Sequence, residues 1–218
     1  MKITFIILIA LLVTAKTGFS QGFINLGFES AVIKTNGAPQ FQIVASNAIP
    51  GWSAYVNDTL QNYIPYNVQT LGSAAVILDD SNNISGFAPV QGKYFALLGG
   101  SQFSTPQSAA IGQTGLIPIT AASILFWGNI GHIQVLFNNQ QLNFNQVGTT
   151  GNYGIYGADV SNYAGQIGEL LFYAPFSTSA IIDNIQFSST AVPEPSALAV
   201  AVLGASLLHF RHRRNSSE

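Results

Sequence analysis

The chain has 218 residues, of which 48% are hydrophobic and only 7% are charged, and its net charge at pH 7 is −2. No basic surplus exists to neutralise phosphates, which argues against nucleic acid as a partner. The chain contains no cysteine, so a disulfide framework and a thiol nucleophile are both excluded.

The first 20 residues have the three parts of a secretory signal peptide. Met1 and Lys2 form a minimal positive region, residues 3–15 are apolar, and Gly18-Phe19-Ser20 is a small-x-small cleavage site. We therefore predict a signal peptide over residues 1–20, with Gln21 as the mature N-terminus. Cleavage after Ala15 and a retained N-terminal anchor are the alternatives. A cleaved signal peptide means that the remainder of the chain is exported.

Residues 21–190 are long enough for one domain with a sizeable core, and their pattern is all-β. Short apolar or alternating runs are separated by Gly, Asn, Pro and Ser, and no stretch keeps a helical period. About ten strands at this spacing predict a β-sandwich of the jelly-roll type. The predicted strands cover residues 23–28, 41–45, 74–78, 94–98, 109–113, 123–127, 132–137, 141–144, 153–156, 169–173 and 180–187.

Turn residues between these strands give further predictions. Asn138-Asn139 indicates a hairpin turn, residues 148–154 a loop, and Asp79-Asp80 a turn that closes the strand before it. A cation site at Asp79-Asp80 is the alternative. The domain holds seven acids against two lysines, a net charge of −5. Its solubility therefore depends on neutral polar groups, and asparagine and glutamine are abundant.

Two signatures stand at the ends of this domain. Residues 22–29 read Gly-Phe-Ile-Asn-Leu-Gly-Phe-Glu, a Pro-Gly-Trp follows at residues 50–52, and residues 180–187 read Ala-Ile-Ile-Asp-Asn-Ile-Gln-Phe. An opening strand that ends in Phe-Glu, the Pro-Gly-Trp and a closing Ile-Asp-Asn-Ile strand together resemble the galactose-binding-like jelly roll. That fold is shared by many carbohydrate-binding modules and surface domains. Between residues 55 and 170 only the rhythm of the strands matches.

Glu29 and Asp183 are the acids of these signatures. Asp183 has the parity of Ile181 and Ile185, which directs its carboxylate to the apolar face, where an unpaired charge is costly. The resemblance implies that the first strand lies near the last, which brings Glu29 close, and that a structural calcium is held there by such acids and by backbone carbonyls. Alternatively, Asp183 accepts hydrogen bonds from a turn and Glu29 is a solvated strand end. No other cofactor is expected.

No catalytic site is evident in the domain. His132 is its only histidine, which excludes a two-histidine metal site, and no Gly-x-Ser-x-Gly elbow surrounds a serine nucleophile. The domain has enough acids, seven, to supply the pair of carboxylates that glycoside hydrolysis requires. However, none of these acids lies in a motif that is typical of such a pair. No phosphate-binding or dinucleotide fingerprint is present. We therefore expect a protein that is not an enzyme.

The aromatic side chains are the remaining resource for binding. Trp52, Tyr153 and Tyr156 stand at predicted loop or rim positions, where flat rings would offer a platform for sugar rings and neighbouring amides would bind hydroxyls. The alternative is that these rings fill the core and the surface without a ligand.

The C-terminal tail combines an extended turn, an apolar run and a basic cluster. Each proline fixes φ and lacks an N–H, so the turn stays extended and accessible, and Ser196 can cap a following helix. Residues 197–210 would span about 21 Å as a helix, against a hydrocarbon core of about 30 Å. The turn comprises Val192, Pro193, Glu194 and Pro195, and the basic cluster contains Arg211, Arg213 and Arg214.

These three parts, in this order, resemble the PEP-CTERM sorting signal of Gram-negative bacteria, which the membrane enzyme exosortase recognises. The resemblance implies a sorting signal over residues 191–218, a transient anchor in the inner membrane with the basic cluster in the cytoplasm, and processing by exosortase. It also implies delivery to the cell surface or beyond, in a pathway linked with exopolysaccharide and biofilm production. A buried or amphipathic C-terminal helix is the alternative.

Three functions follow from these observations. The first is an exported, non-catalytic surface or extracellular-matrix protein associated with exopolysaccharide, and the second is a carbohydrate-binding module with a specific sugar site. The third is a secreted glycoside hydrolase. A carboxylate pair about 5–9 Å apart in one cleft would favour the hydrolase, whereas exposed aromatic rings without such a pair would favour binding.

Overall fold

The computed structural model describes residues 22–34, 37–84, 86–103 and 105–192. The predicted signal peptide over residues 1–20 lies outside these ranges. So does the predicted sorting signal from Pro193 onward, with its apolar run 197–210 and its basic cluster. Val192 is described. Among the described residues, no helix has both the length and the apolar composition needed to cross a membrane.

The regular secondary structure of the described residues is almost entirely β-strand, joined by turns and loops. A single helical turn, α1, covers Ala45–Ala48, and a short 3-10 turn covers Ser161–Tyr163. The strands are β1 Gln42–Val44, β2 Ser53–Val56, β3 Thr59–Leu60, β4 Tyr63–Pro65, β5 Ala75–Asp80, β6 Tyr94–Gly99, β7 Ala109–Leu116, β8 Ser123–Ile130, β9 Gln134–Phe137, β10 Gln140–Gln141, β11 Phe144–Thr150, β12 Tyr153–Asp159, β13 Ile167–Ala174 and β14 Ser179–Ser188.

Two six-stranded sheets face each other, which confirms the predicted β-sandwich. The first, sheet A, has the strand order β10-β9-β13-β7-β2-β3, and the second, sheet B, has the order β11-β12-β8-β14-β6-β5. Every pairing within the two sheets is antiparallel. Strands β1 and β4 form a separate two-stranded pair.

Aromatic rings join the two sheets across the core. Phe126 of β8 meets Phe172 of β13 edge to face, with ring centroids 5.2 Å apart, and both rings are fully buried. Trp52 packs between Phe172 and Phe28, at centroid distances of 6.2 and 5.9 Å. Tilted and edge-to-face pairs of this kind contribute beyond the area that they bury. They hold the two sheets together without a disulfide.

The opening segment, predicted as a strand over residues 23–28, is built of turns instead. Asn25 and Phe28 have positive φ angles of 52° and 60°, which an extended strand does not allow. The segment still runs beside the last strand, because the Ile185 amide donates to the Leu26 carbonyl at 2.9 Å. The expected neighbourhood of the two chain ends is therefore present without regular pairing.

The two turn predictions in the second half have opposite outcomes. Asn138 and Asn139 form the hairpin turn between β9 and β10, with φ angles of 49° and 62° at the two positions. The predicted loop over residues 148–154 is wrong, because β11 and β12 continue through it as far as a tight turn at Gly151. β11 is the edge strand of sheet B and exposes most of its side chains, so it lacks the apolar alternation of a strand covered on one face.

Both ends of the described chain lie at the same end of the sandwich. Gly22 bridges to Leu116 at the end of β7, and the Ser123 hydroxyl at the start of β8 donates to the Thr190 carbonyl at 2.7 Å. The Val192 side chain lies beside Gly157, in the second half of β12. The start of β12 and the end of β8 point to the opposite end, which we call the distal end.

Candidate functional site

The outer face of sheet B is crossed by part of the connection between β5 and β6. We call residues 86–93 the capping loop. It is tied to the sheet at three places along its length, by Tyr153, Asp183 and Glu29. A loop anchored at both ends and in the middle keeps its position over the sheet, which fixes one wall of the clefts described below.

Asp183 is the central tie. Its Oδ2 accepts the amides of Val90 and Gln91, both at 3.0 Å, and its Oδ1 accepts the Asn184 amide at 2.6 Å. The side chain is fully buried. Burial raises the pKa of the Asp183 carboxyl to about 6, although the three backbone hydrogen bonds lower it, and the charge of Glu29 raises it further.

The orientation predicted for Asp183 is only half right. It shares a face with Ile181, as expected, but that face is the outer one, away from the core cluster that contains Ile182 and Ile185. The reason is an irregularity between Asp183 and Gln186, where Asn184 adopts a φ of 48°. Such a bulge adds a residue to one strand and reverses the parity beyond it. The capping loop, not the core, buries the Asp183 carboxylate.

Glu29 ties the end of the capping loop. Its Oε1 accepts the amides of Lys93 at 2.8 Å and Tyr94 at 3.0 Å. Gly92 has a φ of 66°, and a Cβ at this position would run into the Glu29 carboxyl group, so the contact requires glycine. Glu29 itself is exposed, and the turn that ends at Phe28 presents it to the loop.

The surroundings of Glu29 and Asp183 fit a hard cation by chemistry. A Cβ built on Gly27 would lie 3.4 Å from the Gln91 Oε1, 3.9 Å from the Asp183 Oδ1 and 4.0 Å from the Glu29 Cγ, so the three side chains converge beside this glycine. All three offer oxygen, the ligand that calcium prefers. Within the described residues, no group of three or more His, Cys, Asp or Glu side chains forms a metal cluster. Calcium at this position stays a prediction.

The first cleft lies between the capping loop and the turn that joins β11 to β12. We call it the hairpin cleft. Its volume is about 400 Å³, and it is lined by Gly86, Phe87, Ala88, Pro89, Val90, Asn129, Thr150, Gly151, Asn152 and Tyr153. The Tyr153 hydroxyl receives a hydrogen bond from the Ala88 amide at 3.2 Å and donates one to the Ala88 carbonyl. Tyr153, predicted as a binding residue, therefore lies in the hairpin cleft and also fixes its wall.

A second cleft adjoins the first and shares Phe87 and Asn129 with it. We call it the turn cleft. It encloses about 330 Å³ and is lined by Phe87, Leu97, Asn129, Ile130, Gly131, His132, Ser177, Thr178, Ser179, Ala180 and Ile181. Hydrogen bonds fix the turns around it: the Gly131 amide donates to the Ser179 carbonyl at 2.9 Å, and the Gly100 amide donates to the Thr178 carbonyl at 2.8 Å. His132, the only histidine of the domain, is exposed at its rim.

Trp52 and Tyr156 do not belong to these clefts, and their predicted rim positions are wrong. Trp52 is only 4% exposed, and its indole N–H donates to the Asn25 carbonyl at 3.1 Å inside the core. Tyr156 pairs with Phe126 on the inward face of sheet B, where the two rings stack at a centroid distance of 5.6 Å. Neither ring offers a free face for a sugar beside Tyr153.

The other acidic pair noted in the sequence, Asp79-Asp80, has a structural role within sheet B. Asp79 and Asp80 lie within β5, not in a turn after it, and both are buried. The Asp80 carboxylate accepts hydrogen bonds from the Tyr66 hydroxyl and the Asn67 amide group, each at 2.8 Å. Burial raises the pKa of Asp80, but these bonds and the Asn82 amide outweigh it, so the pKa is lowered overall.

No sequence pattern indicated Phe87, Asn129 and Asn152 as binding residues. Phe87 lies in the capping loop, Asn129 near the end of β8, and Asn152 in the turn between β11 and β12, so only the folded sheet brings them together.

Comparison with known proteins adds little to this geometry. No family model matches the chain, and no curated protein matches it either. A solved structure that resembles the chain is the carbohydrate-binding module TmCBM61 in complex with beta-1,4-galactotriose. The TM-score is 0.41 and the sequence identity is 14%, over 78% of this chain and 99% of that one. A similarity of this size says nothing about the ligand of the present chain.

Proposed function

We propose that the domain is a non-catalytic sugar-binding module whose site is the hairpin cleft. The observation that carries this proposal is the lining: the rings of Phe87 and Tyr153 stand beside the amides of Asn129 and Asn152, with no carboxylate among the lining residues. Aromatic rings pack against the apolar faces of sugars, and neutral amides bind their hydroxyls. The module is of the jelly-roll type, which is supported by the mixing of early and late strands in both sheets.

The same lining weighs against the secreted hydrolase. Glycoside hydrolysis needs two carboxyl groups on opposite sides of the scissile bond. No aspartate or glutamate lines the hairpin cleft, the turn cleft or two further clefts among the described residues. The buried Asp183 carboxylate is committed to the framework, because its two oxygens accept the backbone amides of Val90, Gln91 and Asn184.

Binding of neutral polysaccharides by the full chain tests the proposal. Affinity electrophoresis against a panel of immobilised glycans should retard the protein on at least one of them. Asn129→Ala should weaken that binding about tenfold, as expected for the loss of one to two buried hydrogen bonds. Asn145→Ala is the matched control, because it removes another exposed asparagine of sheet B outside both clefts. Uniform lack of retention would reject the proposal.

We infer the cellular location of this module from the resemblance of its C-terminal tail to a sorting signal. We propose that it is exported by its signal peptide, anchored transiently in the inner membrane and processed by exosortase at the Pro193-Glu194-Pro195 turn, with exopolysaccharide as its partner at the cell surface. The position of the clefts supports this arrangement, because they lie at the distal end, opposite Val192 and Gly22. A tail in the membrane would leave the sugar site facing outward.

Intact mass and cell fractionation, with and without exosortase, test the sorting proposal. The protein from cells with the enzyme should lose the segment from about Pro195 onward and leave the inner membrane. If the tail remains in both strains, the sorting proposal fails, whereas the sugar site is unaffected by that outcome.

A structural calcium at Glu29 and Asp183 is a separate proposal, supported by their convergence with Gln91 beside Gly27. The cation would neutralise the buried carboxylate and hold the end of the capping loop. Calorimetry of the chelator-treated full chain should give heat on addition of calcium, together with a higher melting temperature. Absence of both effects would remove calcium from the description of this protein.

A further inference from the structure

We propose that the hairpin cleft and the turn cleft form one continuous trough, which binds an internal segment of a neutral, linear polysaccharide. This inference rests on the proposed sugar-binding function and deepens it, because it assigns the class of ligand and the length of chain that is bound. The first step is the continuity of the two clefts. Phe87 and Asn129 line both, so the two clefts adjoin directly at these two residues.

A row of side chains across four strands underlies the trough, and its one buried member is Ile181, which is 3% exposed. Leu97 of β6 pairs with Ile181 of β14, which pairs with Asn129 of β8. Tyr153 of β12 follows in the same direction, since its neighbour Gly154 pairs with Gly128. Three strand spacings of about 4.8 Å give a row roughly 14 Å long, which exceeds a single sugar ring and suits several linked units.

The lining indicates a neutral ligand. No lysine or arginine lines either cleft, so a uronic acid or a phosphate would find no permanent counter-charge, and the one basic side chain of the lining is His132 at the rim of the turn cleft. No carboxylate lines them either, which argues against a cationic amino sugar. Each cleft sets apolar side chains beside neutral polar ones. In the turn cleft Leu97 lies with the hydroxyl residues 177–179, and in the hairpin cleft Tyr153 lies with Asn129 and Asn152. Such a mixture suits the apolar faces and hydroxyl edges of neutral sugars.

The walls of the trough are fixed before any ligand arrives. Tyr153 and Asp183 hold the capping loop on one side, and the hydrogen bond between Gly131 and Ser179 joins the turns on the other. A preorganised trough loses little conformational freedom on binding, so each further sugar unit adds to the affinity. The expected signature is an affinity that rises with chain length until the trough is filled.

Isothermal titration of the full chain with neutral oligosaccharides, from disaccharides to hexasaccharides, tests this inference. This series of oligosaccharides is prepared from the polysaccharide that the protein binds best. Anionic oligogalacturonates of the same lengths serve as the charged comparison. Affinity should rise about tenfold or more from the disaccharide to the tetrasaccharide. His132→Ala and Phe87→Ala should each flatten this rise, because they remove groups of the turn cleft and of the boundary between the clefts.

Phe103→Ala is the control for Phe87→Ala, since Phe103 is 61% exposed and lines neither cleft. It should keep the full dependence on chain length. Equal affinity for disaccharide and hexasaccharide, with no effect of His132→Ala, would overturn the continuous trough and leave a single-cleft sugar site. Tighter binding of the anionic series would overturn the neutral class. Failure of every sugar to bind would reject the proposed function and this inference together.

Discussion

Asp183 makes the stability of the calcium-free protein depend on pH in an unusual direction. Its pKa is about 6 in the folded state, above the ordinary value of 3.8, because the capping loop removes the carboxylate from water. The folded protein therefore holds this proton more tightly than the unfolded chain does. The stabilisation is complete below the ordinary pKa and is lost as the pH rises through the folded pKa, so the free energy of unfolding should fall between about pH 4 and pH 6.

The size of the effect follows from the shift. A rise from 3.8 to about 6 is roughly two units, and at 1.36 kcal/mol per unit this amounts to about 3 kcal/mol. For a domain of this length, such a loss lowers the urea midpoint by about 1–2 M. Urea unfolding of the full chain with chelator, followed by tryptophan fluorescence at a series of pH values, measures it directly.

Two variants make the measurement specific. Asp183→Asn cannot titrate, so the fall between pH 4 and pH 6 should disappear. Asp159→Asn should keep it, because the Ser161 amide lowers the pKa of Asp159, whose contribution is therefore lost only as the pH falls below its ordinary value. A wild-type stability that stays flat or increases from pH 4 to pH 6.5 would refute the reasoning, as would an unchanged slope in Asp183→Asn.

Three further predictions concern single side chains. Trp52→Ala should cost about 3–5 kcal/mol of stability through the cavity that it leaves, whereas Trp52→Phe should cost about 1 kcal/mol for the lost bond to Asn25; urea unfolding distinguishes them. Tyr153→Phe removes both hydrogen bonds to Ala88, so hydrogen exchange of the capping loop should accelerate while the sheets remain protected. Gly92→Ala should lower the free energy of unfolding by about 1–2 kcal/mol or more, because alanine is strained at the positive φ of this position. An unchanged free energy of unfolding would contradict the close contact between Gly92 and Glu29.

The sandwich could be predicted because most of its strands carry a local signal. β6, β7 and β14 are apolar runs bounded by turn residues, and Asn138-Asn139 is a turn pair that tolerates positive φ at both positions. Among the strands that were missed, β2 to β4 are two to four residues long and have no alternation. Strands this short are held by their neighbours, and their own sequences do not specify them.

The site was less predictable, for two physical reasons. The parity of Asp183 depends on one bulged residue, Asn184, and such an insertion leaves no trace in the spacing of apolar residues. The role of Trp52 depends on the turns before it, which leave room for its ring between Phe28 and Phe172. Of the three predicted binding residues only Tyr153 lies in the hairpin cleft, and its neighbours there come from a strand and from loops that no local pattern connects.

The structure assigns a role to the acids of the two terminal signatures that their sequence context did not indicate. Glu29 and Asp183 hold the capping loop through four hydrogen bonds to its amides and to the Tyr94 amide that follows it. That loop is also the wall of the hairpin cleft, held at its other end by Tyr153. A proton or a cation bound at the carboxylates is therefore coupled to the shape of the hairpin cleft, which we propose as the sugar site. Through the capping loop, the two acids at the ends of the domain help to shape this cleft, although neither of them lines it.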